Sequence, residues 1–389
     1  MAVDTNCRQV HLPSKVIFVS RYFYPFVGGL EKRVHALARA LAARGTKVEI
    51  ITSRPSAEFP VRQDLEGVSI HRLASPQIKV IGACMFIVQL AYFLFQQRSR
   101  YFFLHTFQIG HSSAAAVCVG RLLGKHVFLH LSGGGSGGDI GRHRKTPWGW
   151  AFLALCRFAS TIVVLNSQMQ RELGALRYPS SRTACIPNGV DTANYQPHAN
   201  RADLKRTMGL PENPVILYTG RLSAEKGITT LVRACARLHN PSKPILYIIG
   251  SGPQQQCLER LIRELNADST VILVPACNDI RSYYQYADIF VMPSFHEGIS
   301  NSVLEAMACA LPVIATGVTG NTDLIGDRHN GLLVPPGDDR ALAVALDELL
   351  ENPDKARKMG LRGRSIVQTH YSFDDMIQRY CALYARRGT

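Results

Sequence analysis

From Lys15 onward, short β-branched apolar runs alternate with longer stretches of helical period. KVIFVS (15–20), KVEIITS (47–53), VSIHRL (68–73), YFFLH (101–105), HVFLHL (126–131) and TIVVLN (161–166) read as strands. Helices fill the gaps, one of them running from Gly28-Gly29 to about Arg44. Apolar runs bounded by turn residues and separated by helices predict a parallel sheet covered on both faces. The alternation stops at IPNGVDTANYQPHAN (186–200), where prolines, a glycine and several asparagines keep neither period. It resumes with PVILYTG (214–220), PILYIIG (244–250), TVILVP (270–275), DIFVMP (288–293), LPVIAT (311–316) and a short GLLVPPG (331–337). Helices near 338–351 and 353–368 follow, and Ser372 with Asp375 three residues on predicts the N-cap of a last helix.

The expected organisation is two doubly wound, Rossmann-like α/β domains. The first spans 1–190, a linker 191–213, and the second 214–370, with a C-terminal helix 371–389 packing back on the first. In open parallel sheets ligands bind beyond the carboxyl ends of the strands. Two such domains facing one another would enclose a cleft, with the chemistry in the loops after strands.

Composition narrows this picture. At 389 residues the chain exceeds the usual size of one hydrophobic core, and 46% hydrophobic with 19% charged residues describes a folded protein. Lys plus Arg is 44 against 29 acidic residues, a formal charge of +15 that favours nucleic acid, acidic lipid or phosphorylated substrates as partners. Ten cysteines lie singly between Cys7 and Cys381, with no CxxC pair and no Cys/His set at zinc spacing. That predicts reduced thiols in a cytoplasmic chain, and the first residues carry no apolar signal segment. Val80 to Phe95 is almost wholly apolar, yet at sixteen residues it falls short of the roughly 20 that cross a bilayer. It is expected as a buried or an interfacial helix.

Candidate chemistry concentrates after two strands of the second domain. GRLSAEKG (220–227) holds Arg221 and Lys226 at a strand end, a fork and a compact charge that suit a diphosphate; the alternative is a solvated turn. PSFHEGISNSVLEAMACALPV (293–313) holds Glu297 and Glu305 eight apart. Gly298, Ser300, Asn301, Ser302 and Val303 should present free backbone N–H groups at a helix N-terminus, an anion site. Both glutamates could accept bonds from sugar hydroxyls, or serve merely as capping and dipole partners. GSGP (250–253), with Gly250 and Gly252, and PACND (275–279), with Asn278, close two strand ends where backbone could meet a base.

Taken together, GRLSAEKG, IGSGP, YYQYADIFVMPS, the Glu297-x7-Glu305 element within HEGISNSVLEAMACALPVIAT and NGLLVPPGD resemble, in order and spacing, the retaining glycosyltransferases of family four with a GT-B fold. The resemblance covers about 15–380 and is strongest from 214 to 337. It implies transfer of a hexosyl or related group from a nucleotide-sugar donor, with retention and with neither metal nor cofactor. Arg221 and Lys226 would neutralise the leaving diphosphate, Glu297 would bind the donor sugar and Glu305 the ribose. The Ser300–Val303 backbone would meet the phosphates.

In the first domain, YPFVGGLEKRV (24–34) is similar to the family's glycine loop, so Gly28 and Gly29 are candidates for approach to donor phosphates or acceptor, the alternative being a tight turn. His105, at the end of 101–105, is a candidate for facing the cleft, or a satisfied structural histidine. Relatives often carry a histidine where HVFLHLSGGGSGGD (126–139) has Ser132; His130 lies on the same face but deeper. Ser132 and Asp139 are therefore candidate sugar contacts, with Gly133–Gly138 a loop that could close over substrate or a plain flexible linker. Trp148 and Trp150 after RHRK (142–145), with the apolar helix 80–95, suggest docking on anionic lipid at the inner face of the cell membrane and a lipid-linked or polysaccharide-precursor acceptor. The alternative buries both tryptophans.

Competing readings are weaker. An oxidoreductase would need G-x-G-x-x-G after the first strand, which SRYFYPFVGGLEK lacks. Nucleic acid is not expected as a partner, because no recognition motif accompanies the charge. A non-enzymatic anion-binding protein would show no turnover. A GT-B epimerase would leave no transferred sugar, and a phosphorylase would need phosphate.

Overall fold

The computed structural model describes residues 12–25, 29–76, 78–135, 138–277 and 279–388. These form two compact units, one of residues up to Pro187 together with those from Met376 on, the other Asn188–Asp375.

The first unit is built on β1 (Lys15–Val19), β2 (Lys47–Arg54), β3 (Arg62–Leu65), β4 (Val68–Ala74), β5 (Phe103–Phe107), β6 (His126–His130), β7 (Thr161–Val164) and β8 (Thr183–Cys185). They lie in the order β3-β4-β2-β1-β5-β6-β7-β8, parallel except where β3 runs against β4. Every residue of β1, β5 and β7 is buried, as expected where helices cover both faces of a sheet. The two strands absent from the hydrophobic pattern are the edges. β3 reads RQDL and is largely exposed, and β8 is three residues long. β5 also sits two residues later than its sequence suggests, because Tyr101 is spent in the approach to the strand and packs into the core.

The second unit holds β9 (Val215–Thr219), β10 (Ile245–Ile249), β11 (Val271–Val274), β12 (Ile289–Met292), β13 (Val313–Thr316) and β14 (Gly331–Val334). Their order is β11-β10-β9-β12-β13-β14, all parallel. The stretch expected as a linker, 191–213, lies inside this unit and contains a helix, Arg201–Thr207. Asn200 caps it through Asp203 N, and Arg201 and Lys205 pair with Asp288 at 3.1 and 2.7 Å.

Residues from Met376 on extend the Phe373–Gly388 helix, whose start is capped by Ser372 Oγ accepting Asp375 N at 3.1 Å. In the first unit this helix buries Ile377, Tyr380 and Tyr384. Tyr384 Oη lies 2.6 Å from His105 Nδ1, and Tyr380 Oη 2.9 Å from His130 Nδ1. Arg33 Nη1 is 2.8 Å from His130 Nε2. A guanidinium can only donate, so Nε2 accepts and the His130 proton sits on Nδ1.

Burial holds His105 down to about 3 from its ordinary 6.5. His130 is pushed well below 6.5, by burial first and then by Arg33 and His105. Between the folded and unfolded values the unfolded chain binds protons that the folded chain refuses. Stability is therefore full above 6.5, falls as pH drops below it, and goes on falling towards pH 3. The thermal midpoint should decline steadily on acidification from neutrality, and more shallowly in His105→Gln.

Candidate functional site

The turn after β9 and the loop after β12 are laced together in the second unit. Phe295 N donates to Glu225 O at 2.9 Å, bringing residues 224–226 against 293–297. Across this junction Lys226 Nζ lies 2.5 Å from Glu297 Oε1, with side chains 24% and 9% exposed. Ser294 Oγ donates to the same Oε1 at 2.9 Å, and Thr316 Oγ1, at the end of β13, holds Ser294 O at 2.5 Å. Two donors thus fix one glutamate oxygen at the carboxyl ends of three adjacent strands, β9, β12 and β13.

Glu305 is held from the other side. The Asn301–Ala308 helix starts at Ser300, whose Oγ accepts Val303 N at 3.5 Å. One turn on, Glu305 Oε2 accepts Tyr284 Oη at 2.7 Å, and the same hydroxyl is 2.5 Å from Thr219 Oγ1, the last residue of β9. Burial above all, and then the Glu305 carboxylate, pushes the Tyr284 phenol well above its ordinary value, so it stays a donor. Tyr195 is raised for the same two reasons in the same order. Asn188 Nδ2 donates to Ile299 O and Asn301 Oδ1, both at 2.8 Å, and so sets the entry of the helix.

Arg221 is exposed on the same turn, its carbonyl accepting Tyr218 Oη at 3.1 Å. The Ser223 hydroxyl bond chiefly, with Lys226 and Arg221 behind it, lowers the Glu225 carboxyl below the usual range. The turn also rests on the loop after β10. Leu222 N donates to Ser251 O, Gln254 N donates to Leu222 O, and a Cβ at Gly250 would come within 1.9 Å of Gly220 O. Gly250 and Gly252 thus let two loop backbones touch.

The other candidates divide. Gly29 opens the Gly29–Ala42 helix and is exposed; Gly28 and Asn278, with Ser136 and Gly137 of the glycine run, lie outside the described residues. His105 is fully buried, stacked on Phe107 at 4.6 Å and bonded to Tyr384, the arrangement of a satisfied structural histidine. The later start of β5 moves the strand end to Phe107 and leaves His105 in mid-strand. Asp139 is 1% exposed, its carboxylate receiving Ser132 N at 2.6 Å, Gly133 N at 3.3 Å and Ile109 N at 3.4 Å. It fastens the loop after β6 to the loop after β5. Ser132 Oγ is enclosed, with no hydrogen-bond partner among the described residues. Sequence reasoning missed Asn188, Tyr284, Ser294 and Thr316. Asn188 stands in a Pro-Asn-Gly triplet that looked only like a chain breaker.

Comparison with known proteins follows the two units. Residues 28–189 match the glycosyl transferase 4-like domain, and residues 200–366 the glycosyl transferases group 1 family. The D-inositol 3-phosphate glycosyltransferase of Kineococcus radiotolerans is 28% identical over 378 residues, 88% of this chain and 86% of that relative. Three of the curated relatives it matches are spanned over 56%, 86% and 63% of their own length. Sucrose-phosphate synthase from Thermosynechococcus elongatus superposes with a TM-score of 0.81 at 26% identity, covering 96% of this chain and 99% of that one. Anabaena HepE in complex with UDP superposes with a TM-score of 0.80 at 18% identity, covering 96% and 100%. One glycosyltransferase domain is thus matched in each parallel-sheet unit, and the fold is that of the GT-B glycosyltransferases.

Proposed function

We propose that the chain transfers a glycosyl group from a nucleotide-sugar donor to a hydroxyl acceptor, with retention and without a metal ion. The observation that carries this reading is the convergence of Lys226, Glu297 and the start of the Asn301–Ala308 helix at the ends of β9 and β12. A lysine ammonium has three donors, so Lys226 can keep Glu297 and still take a phosphate oxygen. The helix amides add fixed dipoles and Arg221 a second charge, the role a divalent ion plays elsewhere. Glu297 would receive sugar hydroxyls, and Glu305, already turned towards β9, the ribose hydroxyls.

In the reaction the bond from the anomeric carbon to the leaving phosphate oxygen breaks and a bond to the acceptor oxygen forms. The acceptor proton passes to the departing phosphate, which leaves no task for a separate general base. The similarly folded HepE has been solved in complex with UDP, which supports a nucleotide-sugar donor for this fold. The acceptor is proposed to be a lipid-linked or polysaccharide-precursor hydroxyl.

A thermal-shift panel of UDP-, GDP-, ADP- and TDP-sugars, run with and without EDTA, tests the proposal. The right donor at 100 times its Kd should stabilise the fold by about 2.7 kcal/mol, equally in EDTA. No shift with any of the four would remove the donor site; a shift abolished by EDTA would remove metal independence.

A further inference from the structure

An exposed apolar surface lies in the first unit. The Lys79–Gln96 helix buries Phe86, Leu90 and Leu94 and packs along the His111–Leu122 helix. Its outer face carries Val80, Cys84, Val88, Tyr92 and Phe95, all exposed, at spacings of four, four, four and three. That is one unbroken stripe about 22 Å long, and no charged residue occurs from Val80 to Gln97.

The Pro147–Cys156 helix, which also packs on the His111–Leu122 helix, offers Trp148 at 79% and Trp150 at 50% exposure, with Phe158 exposed just beyond. The alternative that buries both tryptophans is not met. A soluble surface seldom leaves this many large apolar side chains open without a partner.

Charge identifies the partner. From Gly67 to Gln170 the sequence contains ten Lys and Arg and one acidic residue, Asp139, which is buried. Exposed cations border both apolar elements. Arg98 sits 4.2 Å over the Phe95 ring and Arg100 follows it; Arg142, Arg144 and Lys145 precede the tryptophans, with Arg144 5.9 Å over Trp150. Apolar side chains and indoles rimmed by cations, with no exposed acid between, are complementary to an anionic bilayer: rings and aliphatics enter the headgroup boundary while guanidinium groups meet phosphates. The helix lies on such a surface and does not cross it. Its inner face is committed to the unit, and no helix among the described residues is long and apolar enough to span a membrane.

We infer that the outer face of the Lys79–Gln96 and Pro147–Cys156 helices is a docking surface for anionic lipid. The inference stands apart from the donor site in the second unit. The full chain should co-sediment with phosphatidylglycerol/phosphatidylcholine vesicles at low salt, be largely released at high salt, and bind pure phosphatidylcholine vesicles at least about tenfold less. Val88→Glu/Tyr92→Glu, both on exposed positions, should lower vesicle binding about tenfold while keeping the thermal midpoint and any donor-induced shift. Equal supernatant fractions with and without anionic vesicles would overturn the inference, as would unchanged binding of the double variant. Concentration-dependent dimers dissolved by the same substitutions, without vesicle binding, would assign the face to a second copy instead. A missing donor shift beside intact vesicle binding would count against the transfer reading alone.

Discussion

Lys226→Ala is expected to lower turnover about 100-fold, the scale of losing one preorganised donor to developing negative charge. The ammonium sits 2.5 Å from Glu297 Oε1 and a quarter exposed, so it is fixed in place while still open to a ligand. Charge grows on the leaving phosphate as the glycosyl bond breaks, so the loss should fall on kcat more than on KM. The variant also leaves Glu297, 9% exposed, with Ser294 as its remaining donor among the bonds described. A thermal midpoint must therefore accompany the rate. A kcat equal to wild type in a folded Lys226→Ala protein would remove this residue from the mechanism. If kcat falls only in step with the midpoint, the pair is structural.

Gly320→Ala should be nearly as damaging, although residue 320 carries no chemistry. A Cβ there would lie 1.3 Å from Gly298 O and 2.8 Å from Glu297 O, so the loop bearing Glu297 must move. The obstacle is backbone, which cannot swing aside as a flexible side chain would. Overpacking of this kind costs about 1–3 kcal/mol, and a displacement near 1 Å at reacting groups costs about 100-fold in rate. Initial rates and melting curves measured together would show a rate loss well beyond what the midpoint change explains. Full activity with an unaltered midpoint would mean that the position of Glu297 does not matter.

Both variants act on an arrangement only partly legible in the sequence. The strands were readable because β1, β5, β7, β9 and β13 are buried along their whole length and so appear as uninterrupted apolar runs. β3 was not readable, since a polar edge strand has no such run. The Arg201–Thr207 helix was invisible for the same reason: its attachment is ionic, through Asp288, 83 and 87 positions away. Lys226 and Glu297 could each be picked out as chemistry, but their contact spans 71 positions and follows no local period. The sequence left the roles of Asp139 and His105 open. A carboxylate beside a glycine run and a histidine near a strand end look alike whether they meet ligand or backbone. Here the first receives three backbone amides and the second a tyrosine hydroxyl.

The placement of Tyr380 and Tyr384 over His130 and His105 bears on how the chain comes into being. Domains generally fold as they leave the ribosome, the N-terminal one first. Here the unit begun by the first strands lacks part of its own interior until residues from Met376 on have been made. The unit encoded second, Asn188–Asp375, is contiguous and can close first. The nascent chain must therefore carry an incomplete aromatic and imidazole layer through the synthesis of the whole intervening unit, and the order of translation is the reverse of the order of completion.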